Sequence, residues 1–412
     1  MRVFFLIGAL CLAWPPAALA RPWQKLELVV HVHTKISTGS LAPEEVMDQA
    51  KAAGLDGVVF TDSLLRHWEY GFWPLRGLIK KSIDQPSVLQ KGAGEYLKAI
   101  ESQNGANNLL AIAAVEAAPF YYWRRSPFDK QGGEIRGWNQ HLLVLGLDKP
   151  ELLEQLPSNA GDHYQGGLEE EPYQAFIDAA VAEGGLVFWA HPFLKHEGKH
   201  GNITDFTEAY PHLLETTTGY HGFAITYLGY LSAVAPASLW DQLLLAYTHG
   251  KRKKPVWVLG ESDWRGPQER PINMAVSDVL CSARTPAAVL KAIREGRLWA
   301  VIRANASMAS LEEFSVTDEA STHSAVSGDH MSVQGALSIR VIGKRGPKPQ
   351  GKVKLTLVKD GEILFEDDAT EEAFIRQWPD HKPTGISYYR LIIEDPAGVI
   401  YTNPIFVRPY QG

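Results

Sequence analysis

From Leu26 to Leu259 the sequence alternates short apolar, β-branched runs with longer helical or irregular stretches, a rhythm that restricts the chain to a mostly parallel α/β architecture. The expected strands are residues 26–32, 57–61, 109–115, 141–147, 186–190, 223–228 and 256–259. The intervening segments carry helix punctuation. Pro43 opens one with Glu44 and Glu45 in its first turn, and Gly54 stops it. A second covers about 171–183 and stops at Gly184. A third has Thr285 as N-cap, Pro286 at its first position and Gly296 beyond its end. Near Ser307 the rhythm changes to strands joined by tight turns: 337–342, 353–358, the Asp360-Gly361 hairpin signal, 388–394, and 399–407. Residues 306–412 therefore read as an all-β, sandwich-like unit following an α/β unit over 21–305, and the Lys-, Gly- and Pro-rich stretch 343–351 as a solvated loop within it.

The first 20 residues read as a cleaved secretory signal, with Arg2, an apolar run from Val3 to Trp14, then Pro15-Pro16 and Ala18-Leu19-Ala20. Cleavage near Ala20/Arg21 predicts a secreted or periplasmic protein. Cys11 falls inside the apolar run, which leaves Cys281 as the single thiol of the mature chain and no intrachain disulfide. No later apolar run approaches the ~20 residues that span a bilayer. Lys and Arg number 40 against 47 Asp and Glu, a net charge of −7, so there is no basic excess to neutralise a nucleic-acid backbone.

Ionisable residues collect at the expected strand ends. His31 and His33 close the first strand, and a side-chain period of two would point both to one face. Thr61-Asp62-Ser63 follows the second, Glu116 the third, His191-Pro192 the fifth and Glu261-Ser262-Asp263 the seventh. His141 breaks the rule, since it precedes its apolar run and a parallel strand would carry it to the far end. Either that strand begins near Trp138 or the barrel is distorted.

In order and spacing these motifs, His31-Val32-His33-Thr34, Thr61-Asp62-Ser63, Val115-Glu116, Gln140-His141-Leu142, Ala190-His191-Pro192 and Glu261-Ser262-Asp263, resemble the polymerase and histidinol phosphatase (PHP) metallohydrolase domain over roughly residues 25–305. The leader and the C-terminal β unit, ending in Tyr401-Thr402-Asn403-Pro404-Ile405, are similar to exported carbaryl-hydrolase-like metallohydrolases. The PHP resemblance implies a distorted seven-stranded β/α barrel. It implies that His31, His33, Glu116 and Asp263 hold one metal, and that Glu116, His141 and His191 hold a second, with Glu116 bridging. Where the family carries ligands of a third metal, this chain has Ser63, Arg265 and no histidine around Thr38 to Ser40.

The expectation is thus a dinuclear centre of two divalent ions (zinc, manganese or iron) with a bridging hydroxide. Asp263 is the expected proton shuttle as well as a ligand, and Asp62 and Ser63 stand behind the ligands. Arg265, with Arg124, Arg125, Tyr122 and Trp264, is expected to hold a small anionic substrate. Phosphoester hydrolysis leads; amide, carbamate or carboxyl-ester hydrolysis is the alternative within enzymes. An inactive binding module, with the β unit contacting glycan or another envelope component, is the alternative outside them. Trp68, Tyr70, Phe72 and Trp73 read equally well as a pocket wall or as core. His196 and His200, beside Gly198 and Gly201, read as a solvated turn. Ser262 lacks nucleophile-elbow neighbours, which argues against a serine hydrolase.

Overall fold

The computed structural model describes residues 23–158, 170–226 and 231–410. The expected leader 1–20, Cys11 and the end of the expected strand 223–228 lie outside them.

Seven short strands occur near the expected places: β1 (Gln24–Val32), β2 (Gly57–Phe60), β3 (Leu110–Ala117), β4 (His141–Leu145), β5 (Leu186–Ala190), β6 (Gly222–Ile225) and β7 (Trp257–Gly260). They lie side by side in chain order. Pairing is parallel between β1, β2 and β3 and between β5, β6 and β7, whereas β4 is antiparallel to both neighbours. The row curls back on itself. Ser262 N–H donates to Val30 O at 2.9 Å, Trp264 N–H to His31 O at 2.9 Å, and His33 N–H to Trp264 O at 2.9 Å, so the segment after β7 meets β1. Every residue of β2, β4, β5, β6 and β7 is buried, as continuous apolar runs covered on both faces require.

Helices α1 (Pro43–Ala52), α2 (Glu170–Ala182), α3 (Leu239–Thr248) and α4 (Pro286–Arg294) contribute the apolar stripes that cover the sheet, Val46, Met47 and Ala50 in α1 and Val289, Ala292 and Ile293 in α4. Their ends follow the sequence signals: the Thr285 hydroxyl accepts from Ala288 N–H, and Gly54 and Gly296 take positive φ just past their helices.

Past β1 the same sheet continues through β8 (Ala275–Cys281), antiparallel to β1, and β9 (Leu298–Arg303) into C-terminal strands. Among the C-terminal strands, β10 (Ser310–Asp318) and β11 (Leu337–Lys344) pair antiparallel in a second, four-stranded sheet, whereas β12 (Val353–Lys359), β13 (Ser387–Asp395), β14 (Gly398–Thr402) and β15 (Ile405–Pro409) extend the first. β14 pairs antiparallel with β9, joining C-terminal strands edge to edge with the α/β sheet, and one apolar core runs from Leu26 to Val407. The expected strand 399–407 is two strands. Pro404 has no N–H to give a ladder, and the Asn403 side chain turns away to bond Val258, accepting its N–H at 2.8 Å and donating to its carbonyl at 3.1 Å.

His196 and His200, expected in a turn, lie on a strand (His196–His200) paired antiparallel with Ile203–Thr207. Gly198 fits there because the strand is at a sheet edge, where a glycine costs little packing.

Candidate metal centre

The antiparallel course of β4 resolves the anomaly of His141. The strand begins at His141, opposite Ala190 at the end of β5, so its first residue reaches the end of the sheet where its neighbours finish.

At that end six side chains meet. His31 Nε2 lies 3.2 Å from His33 Nε2, 3.0 Å from Glu116 Oε1 and 3.5 Å from Asp263 Oδ1. His33 Nε2 lies 3.4 Å from Asp263 Oδ1 and 3.6 Å from Glu116 Oε2. On the other side of Glu116, Oε1 is 2.5 Å from His141 Nδ1 and 3.8 Å from His191 Nε2, and those two nitrogens are 3.4 Å apart. Donor atoms of His31, His33, Glu116 and Asp263 thus lie within 4.8 Å of one another, as do those of Glu116, His141 and His191, with Glu116 in both groups.

The backbone is bent to achieve this. His31, His191 and Asp263 all adopt positive φ, at 68°, 32° and 44°, conformations that non-glycine residues seldom hold without compensation. At His31 the β1–β2 register shifts in a bulge, so the convergence of His31 and His33 comes from a re-aimed residue rather than from simple alternation. The following turn folds tightly back: a Cβ on Gly39 would lie 2.2 Å from the His33 carbonyl oxygen, so only glycine fits.

Buried partners behind the cluster set the ring orientations. Glu261, fully buried, takes His31 Nδ1 at 2.6 Å with one oxygen and accepts His191 N–H at 2.6 Å with the other. Asp62 accepts from Thr34 N–H and Oγ1 at 2.8 Å each and from Ser37 Oγ at 2.6 Å. Because the Ser37 hydroxyl donates to Asp62, its oxygen receives the His33 Nδ1 proton at 3.2 Å, leaving His33 Nε2 as a lone pair aimed into the cluster. Ser63 Oγ donates to Glu116 Oε2 at 3.1 Å. The Tyr210 hydroxyl receives His141 N–H at 3.1 Å. Glu261, Ser37 and Tyr210 carry no role in the sequence reading; Glu261 had a signal, its place in the strand-end motif with Asp263.

The charges are tightly coupled. Burial alone would raise Glu116, yet the imidazoles of His141 and His33 hold it well below the usual carboxylate range. Burial lowers His31, but Asp263 and Glu261 overcome it and lift the ring to about 10. His141 falls to about 4, chiefly by burial against the pull of Glu116. Asp263 is held well below its usual range by Arg265 and His31 in spite of burial.

The donor set fits a divalent cation. Asp263 Oδ1 is buried without a hydrogen-bond partner while facing two imidazole nitrogens, and mixed imidazole and carboxylate donors suit zinc, manganese or iron.

Of the residues expected to hold substrate, Arg265 is at the cluster, its guanidinium donating to Asp263 Oδ2 at 2.8 Å and to Thr38 Oγ1 at 3.3 Å. The others are elsewhere engaged. Trp264 is fully buried, its indole N–H donating to Arg270 O at 2.9 Å, because the residue after Asp263 turns inward where the chain bonds β1. Arg124 and Arg125 each pair with Glu134 at 3.3 Å across a hairpin, and Tyr122 packs half-buried beside Phe120. The sequence reading missed Arg66. It lines a small cavity with Ser63, Glu116, Trp138 and His141, anchored by Gln85 Oε1 at 2.7 Å.

No protein-family model matches this chain, and no curated protein matches it. Among solved structures it is similar to a two-domain protein from Bacteroides vulgatus containing a predicted PHP-like metal-dependent phosphoesterase, at 14% identity over 93% of this chain and 96% of that chain, with a TM-score of 0.41. An engineered protein gives 11% identity over 93% of this chain and 77% of that chain, with a TM-score of 0.20. The carbaryl-hydrolase-like resemblance has no counterpart among these comparisons.

Proposed function

We propose that the chain is an exported PHP-type hydrolase with a distorted seven-stranded barrel and a dinuclear metal centre, acting on a small phosphoester or related anionic ester. The observation that carries this reading is the pair of donor groups sharing Glu116 at one end of the sheet. His31, His33, Glu116 and Asp263 would hold one ion, and Glu116, His141 and His191 the other. When bound, two divalent cations supply Lewis acidity that brings water into nucleophilic range near neutral pH and polarises the ester. Glu261 and Ser37 keep the His31 and His33 rings aimed, and Asp62 holds the turn that carries Ser37. Arg265 and Arg66 present guanidinium groups on two sides of the centre, which favours an anionic substrate over a neutral one. The leader over 1–20, the metal-binding unit 21–305 and the β unit 306–412 belong to the same proposal, with the protein periplasmic or secreted.

The test is a substrate panel on metal-loaded mature protein: nitrophenyl phosphate, bis-nitrophenyl phosphate and nitrophenyl acetate, with Arg265→Ala alongside. The expected result is turnover of the phosphates and a KM for them about tenfold or more higher in the variant. Turnover of the acetate alone selects carbonyl chemistry, no turnover by a fully metallated protein selects the binding module, and unchanged phosphate kinetics in Arg265→Ala removes its clamp role.

A further inference from the structure

Among the described residues, the two large apolar side chains most exposed to solvent, Leu78 and Trp73, lie at one place with several others. Residues 66–71 and 80–85 form a two-stranded hairpin, and its tip exposes Phe72, Trp73, Leu75, Leu78 and Ile79, with Trp73 71% and Leu78 83% accessible. The tip is not collapsed on itself: Phe72 N–H bonds Ile79 O at 2.8 Å and Ile79 N–H bonds Leu75 O at 2.8 Å, so the backbone is satisfied internally while the side chains splay outward. A distant part of the chain extends the patch, because Phe128, itself exposed, meets Phe72 edge-on at 5.8 Å and Tyr70 at 6.0 Å.

The base of the hairpin is fixed. Trp68 packs with Tyr121, Trp123, Ile135, Trp138 and Ile203 in a satellite core, and Trp123 Nε1–H donates to Glu69 O at 2.8 Å. A rigid stem thus holds an apolar tip out in solvent, and scattered single exposures do not look like this. The charge carried by the tip segment itself is basic, and of its cations Lys80 also pairs with Glu69 on the stem at 3.0 Å. Between Gly71 and Lys81 the chain carries Arg76, Lys80 and Lys81 and no acidic residue, although the whole molecule is net acidic. Arg76 lies 5.4 Å from the Trp73 ring centroid, so cation and aromatic are presented together.

We propose that this hairpin tip is a membrane-docking element that inserts Trp73, Leu75 and Leu78 into the interface of an anionic lipid surface while Arg76 and Lys81 meet the headgroups. Tryptophan flanked by aliphatic residues and cations is the side-chain set that settles at a lipid–water boundary, lying on a membrane rather than crossing it. A protein partner would be served by the apolar tip alone; the cations of the tip segment, with no acid between Gly71 and Lys81, favour a negatively charged surface. The stem also begins at Arg66, which lines the cavity beside Glu116 and His141, so docking would hold that end of the sheet about 20 Å from the lipid, six residues of strand at about 3.3 Å each.

The test is co-sedimentation of the full mature protein with vesicles of phosphatidylglycerol and phosphatidylethanolamine, against vesicles of phosphatidylcholine alone, for the native chain, Trp73→Ala/Leu78→Ala and Arg76→Glu/Lys81→Glu. The proposal predicts binding to the anionic vesicles that weakens with salt. Each double variant should lower the partition coefficient about tenfold or more, with an unchanged unfolding midpoint. It is overturned if the native protein does not pellet with anionic vesicles, or pellets equally well after both substitutions. Equal binding to phosphatidylcholine also overturns it, and so does a dimer, detected by light scattering, that Trp73→Ala/Leu78→Ala disperses, since that assigns the patch to a second copy.

Discussion

Asp241 on α3 and Arg390 on β13 form an ion pair in which both side chains are fully buried. Arg390 Nε donates to one carboxylate oxygen at 2.8 Å and Nη2 to the other at 2.6 Å; Asp241 also accepts from Tyr388 Oη at 2.7 Å and Ala237 N–H at 2.9 Å. The guanidinium lies 4.8 Å from the Trp240 ring centroid, but its Nη1 is buried with no partner, so the pair's net worth is smaller than its contacts suggest. Arg390→Met leaves Asp241 as a charge in the interior between the α/β unit and the C-terminal strands, and should cost about 3–5 kcal/mol. Asp241→Leu strands the guanidinium and should cost a similar amount. The double variant removes both charges, so it should recover part of the loss, giving a coupling of about 2–3 kcal/mol against additivity. Urea unfolding followed by far-UV circular dichroism measures all three. Additive losses in the double variant, or losses below about 1 kcal/mol in each single one, would refute the claim that these two charges depend on each other.

Two further outcomes follow from buried carboxylates. Asp278, lifted to about 6 by burial, with Glu27 adding and Lys25 opposing, should make folding less favourable as pH rises. Its favourable contribution is complete below its ordinary value of 3.8 and is lost as pH passes about 6, a difference on the order of 3 kcal/mol. Asp278→Asn should therefore raise stability at pH about 8 and leave it unchanged near pH 3.5; equal effects at both would contradict the argument. Glu261→Gln should weaken metal binding about 10- to 100-fold, measured by competition with a chelator, because His31 and the His191 backbone lose the carboxylate that orients them.

Much of this architecture is legible in the sequence, for identifiable reasons. The strands of the curled sheet are continuous apolar runs bounded by turn formers, and α4 advertises both ends through Thr285, Pro286 and Gly296. Strand direction is not written in such runs: β4 looks like its neighbours, and only its antiparallel course explains His141. Most residues of the cluster stand out as imidazoles and acids near the ends of apolar runs, and the PHP resemblance supplied His141 and the grouping, but their support could not be named. Ser37 and Tyr210 are ordinary polar residues until the fold sets them behind a ring. Trp264 misleads through its neighbour, since sharing a strand end with Asp263 does not mean sharing a face. Arg66 is hidden because nothing local marks it; its place depends on Trp138 and Gln85, both distant in sequence.

The measurement that bears most directly on the account is the metal content of the mature protein after equilibration with zinc or manganese and removal of free ion, compared with that of His141→Ala and His33→Ala. Two ions per native chain, with each variant losing about one, is the predicted result, since each histidine belongs to one donor group only. A native chain that binds no ion, or variants that keep the native stoichiometry, would contradict it.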